Sequence, residues 1–346
     1  MRTKTKIGCL LAALSLALMI LSACGTSPTA APANGTGGPA STSPAEKYPA
    51  KPIVVLHPHG VGGITDTATR ALQPFWEEEL GTQMIVDNHT GAGGQISWTM
   101  LRDADPDGYT IASFVQPHVT FTMLLQNAPY SWDDFYIFGL LHEDVNAVDV
   151  LKTSPWNSME DMIEDMKARP NQYSLGAVGR SDSELSAYIM MDELGIEFNL
   201  VLFDGGGPAR TALLGGHIDG YLSGEFSMYG IKDSIKVIGL FGDEAQSLFP
   251  EGLPVNDQVK EKYGVEFPTL SSVRGYGVTK AFAEQYPDRL KILEDTFIKA
   301  VNNPAHIEAL KAIGGDTILT PKIGDEADKE FKAISDLYAQ YQDKFK

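Results

Sequence analysis

The stretch VLHPHGVGGITDTATR, Val55 to Arg70, gathers the first residues whose types and spacing can do chemistry. His57 and His59 lie two apart on what reads as a strand, so their imidazoles can share a face, with Asp66 close behind. That trio is a conceivable metal site, the core of an extracellular metal-assisted hydrolase, although Pro58 separates the histidines and no further ligands cluster nearby. The other chemistry is anion recognition by backbone. A glycine-rich turn running into a helix presents unpaired N–H groups and partial positive charge, and glycine lets a ligand approach the chain closely. Val61, Gly62 and Gly63 would then offer amides to a carboxylate. Asp66 would repel an anion, so its expected work is to cap the helix, bind loop amides or hold a bridging water. A plain strand-to-helix turn is the alternative.

Several chemistries are excluded by pattern. GVGGITDT has no lysine where a nucleotide-binding P-loop needs one, and Thr65 stands where a dinucleotide fold needs its third glycine. GAGGQIS, Gly91 to Ser97, fails in the same way at Ile96. No G-x-S-x-G nucleophile elbow and no H-E-x-x-H zinc motif occurs. His142, Glu143 and Asp144 form a polar cluster that reads as a solvated turn near a lobe junction.

The elements that must position these groups follow from apolar spacing. KPIVVLHP reads as a buried strand, and Thr65 to Leu80 as a helix with Ala68, Leu72, Phe75, Trp76 and Leu80 on one face and Gly81 as its stop. QMIVDN is a strand, GAGGQISWTMLRDA a turn entering a helix, and DPDGYTIASFV a turn and a third strand. This alternation implies a parallel sheet covered by helices. The middle repeats it: a helix over Ser158 to Ala168, the strand YSLGAVG, the helix SDSELSAYIMMDEL ended by Gly195, the strand FNLVLFD, the helix PARTALLGG, and the strands IDGYLS and IKVIGLFG. One long helix is expected from Phe282 to Asn302, with others near 305–313 and 327–341. Two α/β lobes are the expected architecture.

The front of the chain sets the compartment. Arg2, Lys4 and Lys6 precede an uncharged apolar run from Ile7 to Ala23, the layout of a secretory signal. The run ends in LSAC, which resembles a bacterial lipoprotein cleavage box and makes Cys24 the expected lipidated residue. Gly25 to Lys47 is dominated by small residues and proline, too poor in apolar surface to fold, and reads as a disordered tether. Cys9 and Cys24 are the only cysteines, so the part beyond the tether has no disulfide, thiol nucleophile or cysteine metal site. The formal charge is −18, and losing Arg2, Lys4 and Lys6 takes it to −18 − 3 = −21, which disfavours nucleic acid and anionic lipid as partners.

The whole pattern resembles the Bug-type extracytoplasmic receptors of tripartite tricarboxylate transporters. The residues that carry the resemblance are YPAKPI at Tyr48 to Ile53, Gly62, Gly63, Asp66 and Arg70 of the glycine loop, and DNHTGAGG at Asp87 to Gly94. DADPDGYT at Asp103 to Thr110, PYSWDDF at Pro129 to Phe135, ALLGGHIDG at Ala212 to Gly220 and AVNNPAHIEALKAIGGD at Ala300 to Asp316 continue it. The resemblance implies a type II periplasmic-binding-protein fold in which two lobes close on a ligand: 1–24 signal peptide, 25–47 tether, 48–148 and 273–346 lobe one, and 149–272 lobe two. It implies that Val61, Gly62, Gly63 and Asp66 hold a carboxylate through amides and ordered water. By position it adds Gln116 and His118 after the third strand, and Gly179, Arg180 and Ser181 at a loop entering a helix of lobe two. FDGGGPA, Phe203 to Ala209, replaces the family's YKGAAPA. His59, Val61, His89 and Thr90 also depart from the family pattern. Arg180 is an added cation suited to a distal carboxylate, or else a solvated surface residue. Asp204 would select a ligand with an amino group or reject some diacids.

The expected function is therefore a non-enzymatic, membrane-anchored, extracytoplasmic solute-binding lipoprotein. It would be a monomer without cofactor that delivers an organic carboxylate to membrane permease subunits. The metal-assisted hydrolase and a sensory carboxylate receptor are the alternatives.

Overall fold

The computed structural model describes residues 47–243 and 248–345. The signal, Cys24 and all but the last residue of the tether lie outside the described residues. Strand β1 (Ile53–His57) enters helix α1 (Ile64–Leu80) through the glycine loop, and β2 (Met84–Asn88), α2 (Gln95–Arg102), β3 (Thr110–Val115) and α3 (His118–Leu125) follow. Strands β1, β2 and β3 pair in parallel in the order β2-β1-β3, as strand–helix alternation requires. Helix α1 buries Ala68, Leu72, Trp76 and Leu80 at helical spacing and ends at Gly81 in the left-handed conformation.

A 17-residue strand, β4 (Phe135–Leu151), then leaves this region. Beyond it come α4 (Met159–Ala168), β5 (Ser174–Val178), α5 (Asp182–Leu194), β6 (Asn199–Phe203), α6 (Gly206–Leu214), β7 (Gly220–Gly224), α7 (Glu225–Met228), β8 (Ile235–Leu240) and α8 (Val255–Tyr263). The chain returns along β9 (Ser271–Thr279) and closes with α9 (Lys280–Gln285), α10 (Pro287–Val301), α11 (Pro304–Lys311), β10 (Leu319–Ile323) and α12 (Gly324–Gln340).

The sheet runs β2-β1-β3-β9-β4-β7-β5-β6, with β8 and β10 also pairing β4. Strand β4 changes partner in mid-course: through Val145 it pairs β9, and from Asn146 it pairs β7. The two antiparallel strands β4 and β9 are thus the crossing segments between the halves. Trp76, Phe138, Leu293 and Phe297 belong to one core of the first half, and Met159, Met162, Leu175, Leu185 and Leu222 to that of the second.

Two sequence expectations differ, and the tail makes contacts beyond those foreseen. The stretch 282–302 is two helices, because Pro287 has no N–H to continue the first and instead opens the second. His142, Glu143 and Asp144 are not a solvated turn but the middle of β4, with His142 and Asp144 fully or almost fully buried. The tail does not serve only the first half. Tyr338 packs among residues of the second core, Phe345 lies against Phe121 at 4.5 Å and Tyr188 at 5.5 Å, and Lys344 pairs with Asp192 of α5.

Gly139 of β4 lets α10 pack closely: a Cβ there would stand 2.6 Å from the buried Phe297 ring. We expect Gly139→Ala to lower unfolding free energy by about 1–3 kcal/mol, read as a shifted urea midpoint at unchanged slope.

Candidate functional site

The crossing strands floor a cleft of about 540 Å³. Its first wall is the loop from β1 to α1. Gly62 adopts φ +79°, a conformation that favours glycine, and its N–H donates to Asp66 Oδ2 at 2.9 Å. Gly63 caps α1, and its N–H turns back to the Gly60 carbonyl at 3.2 Å. Both residues line the cleft, but both amides are committed inside the loop, which corrects the expectation that they point at a carboxylate. The opening turn of α1 brings Ile64 and Thr65 to the cleft instead, at the end of the helix where N–H groups lack intrahelical partners. Val61 is not among the lining residues, and its side chain is 75% exposed.

Asp66 is 1% exposed and faces the loop rather than the cleft. Besides Gly62 it accepts from Arg70 Nε and from Asn88 Nδ2, each at 2.9 Å. Burial opposes its charge, but Arg70, the Gly62 amide and Asn88 prevail and hold its carboxyl below the ordinary range. Its expected service to loop amides is what the hydrogen bonds show. Its place as a ligand contact is not, since the structure commits it to its own loop. His57 is likewise occupied, with Nδ1 near the His59 backbone and Asn88. Among the described residues no set of three metal-ligating side chains forms, so the trio His57, His59 and Asp66 is not assembled as a metal centre.

Gln116 also falls away from the cleft. It is fully buried, its amide donates to the Phe331 carbonyl at 3.0 Å, and its oxygen accepts from Thr120 at 2.7 Å. His118 does line the cleft, with the His59 ring 5.3 Å away. Burial and then the Arg274 charge push the His118 imidazole down to about 4; burial, and then the neighbouring His118, hold His59 well below the ordinary imidazole range, so both rings are neutral near pH 7.

On the opposite wall, Ser181 caps α5 by accepting from the Ser183 N–H and lines the cleft. Gly179 spends its N–H on the Phe203 carbonyl and is not a lining residue. Arg180 is exposed and outside the cleft too. Its guanidinium reaches Gln126, just after α3, at 2.9 Å with the amide oxygen turned toward it, so it ties the two halves together at the surface. Asp204 lines the cleft just before Gly205, Gly206 and Gly207, where α6 begins. A Cβ on Gly205 or Gly207 would meet nothing within 4 Å, so backbone there is open to a guest.

The residue that sequence reading missed most is Arg274, in the middle of β9. It is 8% exposed and lines the cleft, Nη2 is 3.8 Å from Asp144 Oδ2, and Nε and Nη1 have no partner among the described residues. Asp144 in turn accepts from the Phe226 N–H, and a Cβ on Gly224 would lie 2.3 Å from its oxygen, so only glycine fits there. Asp182, Arg210 and Ser223 complete the charged and polar lining of the second half. The available signal was a lone arginine inside the alternating SSVRGYGVT, a residue type seldom buried without a partner. Three helix starts, two cleft arginines and two neutral imidazoles therefore surround a space suited to an anion of modest size.

Residues 68–322 match the family model described as the tripartite tricarboxylate transporter family receptor. The chain belongs to that family of transporter receptors. It is 32% identical over 188 residues to Protein BugT of Bordetella pertussis, across 52% of this chain and 57% of BugT. A relative from Agrobacterium vitis is also matched over only about half its length, 51%. A receptor of the same family from Polaromonas superposes with a TM-score of 0.72 at 23% identity, covering 86% of this chain and 100% of that one. MatC from Rhodopseudomonas palustris, with bound malate, gives 0.68 at 19%, covering 86% and 100%. The shared fold is the two-lobed periplasmic-binding-protein type that the sequence pattern implied.

The buried histidines give a pH test. An unfolded imidazole takes a proton near 6.5, whereas folded His118 resists until about 4. Lowering the pH through that window therefore favours the unfolded chain. Wild type should lose stability relative to His118→Asn between pH 7 and pH 5, measured as paired urea midpoints. A gap that stays constant with pH would contradict a neutral buried His118.

Proposed function

We propose that this chain is a lipid-anchored receptor that captures a small organic carboxylate between its lobes and passes it, unchanged, to the permease subunits of a tripartite transporter. The single observation that carries the reading is Arg274. A guanidinium nine-tenths buried, with two N–H groups lacking partners among the described residues and a carboxylate no nearer than 3.8 Å, is only half neutralised by its own protein. A ligand carboxylate is the natural complement, because charge-assisted hydrogen bonds are strong where water is displaced. The α1 and α6 starts, His118 and Ser181 would complete its shell. Membership in the receptor family and the malate held by MatC support the same ligand class.

In this reading lobe one is 48–148 with 273–346, lobe two is 149–272, and β4 and β9 carry the hinge. Cys24 bears the lipid, the small-residue tether keeps the domain free to rotate beside the membrane, and the receptor works as a monomer. Two or three acyl chains on one cysteine suffice for stable anchoring. Micromolar affinity requires about 8 kcal/mol, within reach of a few charge-assisted contacts.

The reading is tested by calorimetry against a panel of mono-, di- and tricarboxylates. Arg274→Gln should weaken the best binder roughly 10-fold to 100-fold, since hydrogen bonds to charged groups are worth about 1.5–3 kcal/mol. Mass spectrometry of the released ligand should return it intact. Unchanged affinity in the variant, or a chemically altered ligand, would sink the proposal.

A further inference from the structure

The cleft is not simply positive, and its imbalance narrows the ligand. Two cations line it, Arg274 and Arg210, against three carboxylates, Asp144, Asp182 and Asp204. Arg274 already stands beside Asp144, and Arg210 spends Nη1 on the Ser227 carbonyl at 2.9 Å. Among the described residues Asp182 has no cation within ion-pair distance, and it is 7% exposed at the first position of α5. Asp204 is exposed, also without an ion pair among the described residues. Counted as formal charges, the wall is −1 before any ligand enters. A monocarboxylate brings it to −2 and a diacid to −3, whereas a ligand carrying both a carboxylate and a protonated amine leaves it at −1. Like charges sharing a poorly hydrated site repel strongly, and an ammonium beside Asp182 removes that repulsion.

Resting on the carboxylate-receptor reading, we infer that the ligand is an amino-bearing carboxylate: its acid group meets Arg274, and its ammonium lies toward Asp182 and Asp204. Burial, and then the nearness of Asp144, push the Asp182 carboxyl up to about 7 against the opposing pull of the Arg274 charge and the backbone N–H groups of Asp182 and Ser183, and an ammonium would favour its charged form further. The two ends are read by different halves, because Arg274 lies on a crossing strand while Asp182 and Asp204 open or precede helices of lobe two. Selection against diacids follows from the same wall, which sets this chain apart from the malate-holding MatC.

The test is calorimetry of the purified full chain with matched triplets at several carbon-chain lengths: the amino acid, the dicarboxylate and the plain monocarboxylate, for example 4-aminobutyrate, succinate and butyrate. At one length or more, the amino acid should bind roughly 10-fold or more tighter than both partners, the size of one charge-assisted contact. Asp182→Asn should cost the amino acid a similar factor while leaving the diacid equal or improved. Asp204→Asn, on an exposed side chain that cannot unfold the lobe, should do so in smaller measure. A diacid that equals or exceeds its amino acid, an amino acid indifferent to both substitutions, or a panel in which no amine-bearing acid binds would each overturn the inference. The first outcome leaves the carboxylate-receptor reading standing, provided that the diacid loses affinity in Arg274→Gln. If binding of every acid is indifferent to Arg274→Gln, that reading fails as well.

Discussion

Much of the functional half of this structure depends on one charge kept out of water. Arg274 sits on a strand that both halves share, faces the cleft, and has a single carboxylate within 4 Å. A guanidinium in such a place costs several kcal/mol unless it is matched. The protein matches it in part. Asp144 lies beside it, held by the Phe226 amide and given room by Gly224. The same charge, together with burial, keeps His118 and His142 neutral. Backbone, imidazoles and acids around the cleft are thus arranged about one group whose remaining valence is turned toward a guest.

The glycine loop illustrates how a family pattern and a physical role can be related without being identical. Glycine at 62 and 63, an acid at 66 and arginine at 70 are a closed circuit: Asp66 accepts from a loop amide and from Arg70, while Asn88 reaches in from β2. The circuit fixes the loop so that the next turn of backbone, at Ile64 and Thr65, faces the cleft. The signature residues build the mount, with Gly62 and Gly63 also at the cleft wall, while the amides of the next turn are the ones left without loop partners.

How much of this was legible in the sequence depends on whether the information is local. Helix α1 announces itself through Ala68, Leu72, Trp76 and Leu80 and through its glycine stop, and the parallel strands on either side follow from their apolar runs. Ser181 and Asp204 were placed at the cleft by position in the family pattern, and both line it, Ser181 as the cap of α5 and Asp204 just ahead of α6. Strands β4 and β9 were not legible. Their polar residues, His142, Asp144 and Arg274, are charged or titratable groups buried against partners 80 or more positions away, and the burial of such residues cannot be read from neighbours in sequence. Gln116 and Arg180 show the converse error. Position in a family motif put them at the cleft, while Phe331 and Gln126, respectively, claim their side chains.

The last residues of the described chain add a constraint on motion. Phe345 is held between Phe121 on one side and Tyr188 on the other, with Lys344 fastened to Asp192. Two strands alone would leave the halves free to twist as well as to fold together. A third tether away from those strands suppresses the twist and leaves one preferred arc. In the closure proposed above, the aromatic clamp must either slip or be carried, so swinging shut at the cleft would displace Lys344 and Phe345 as well.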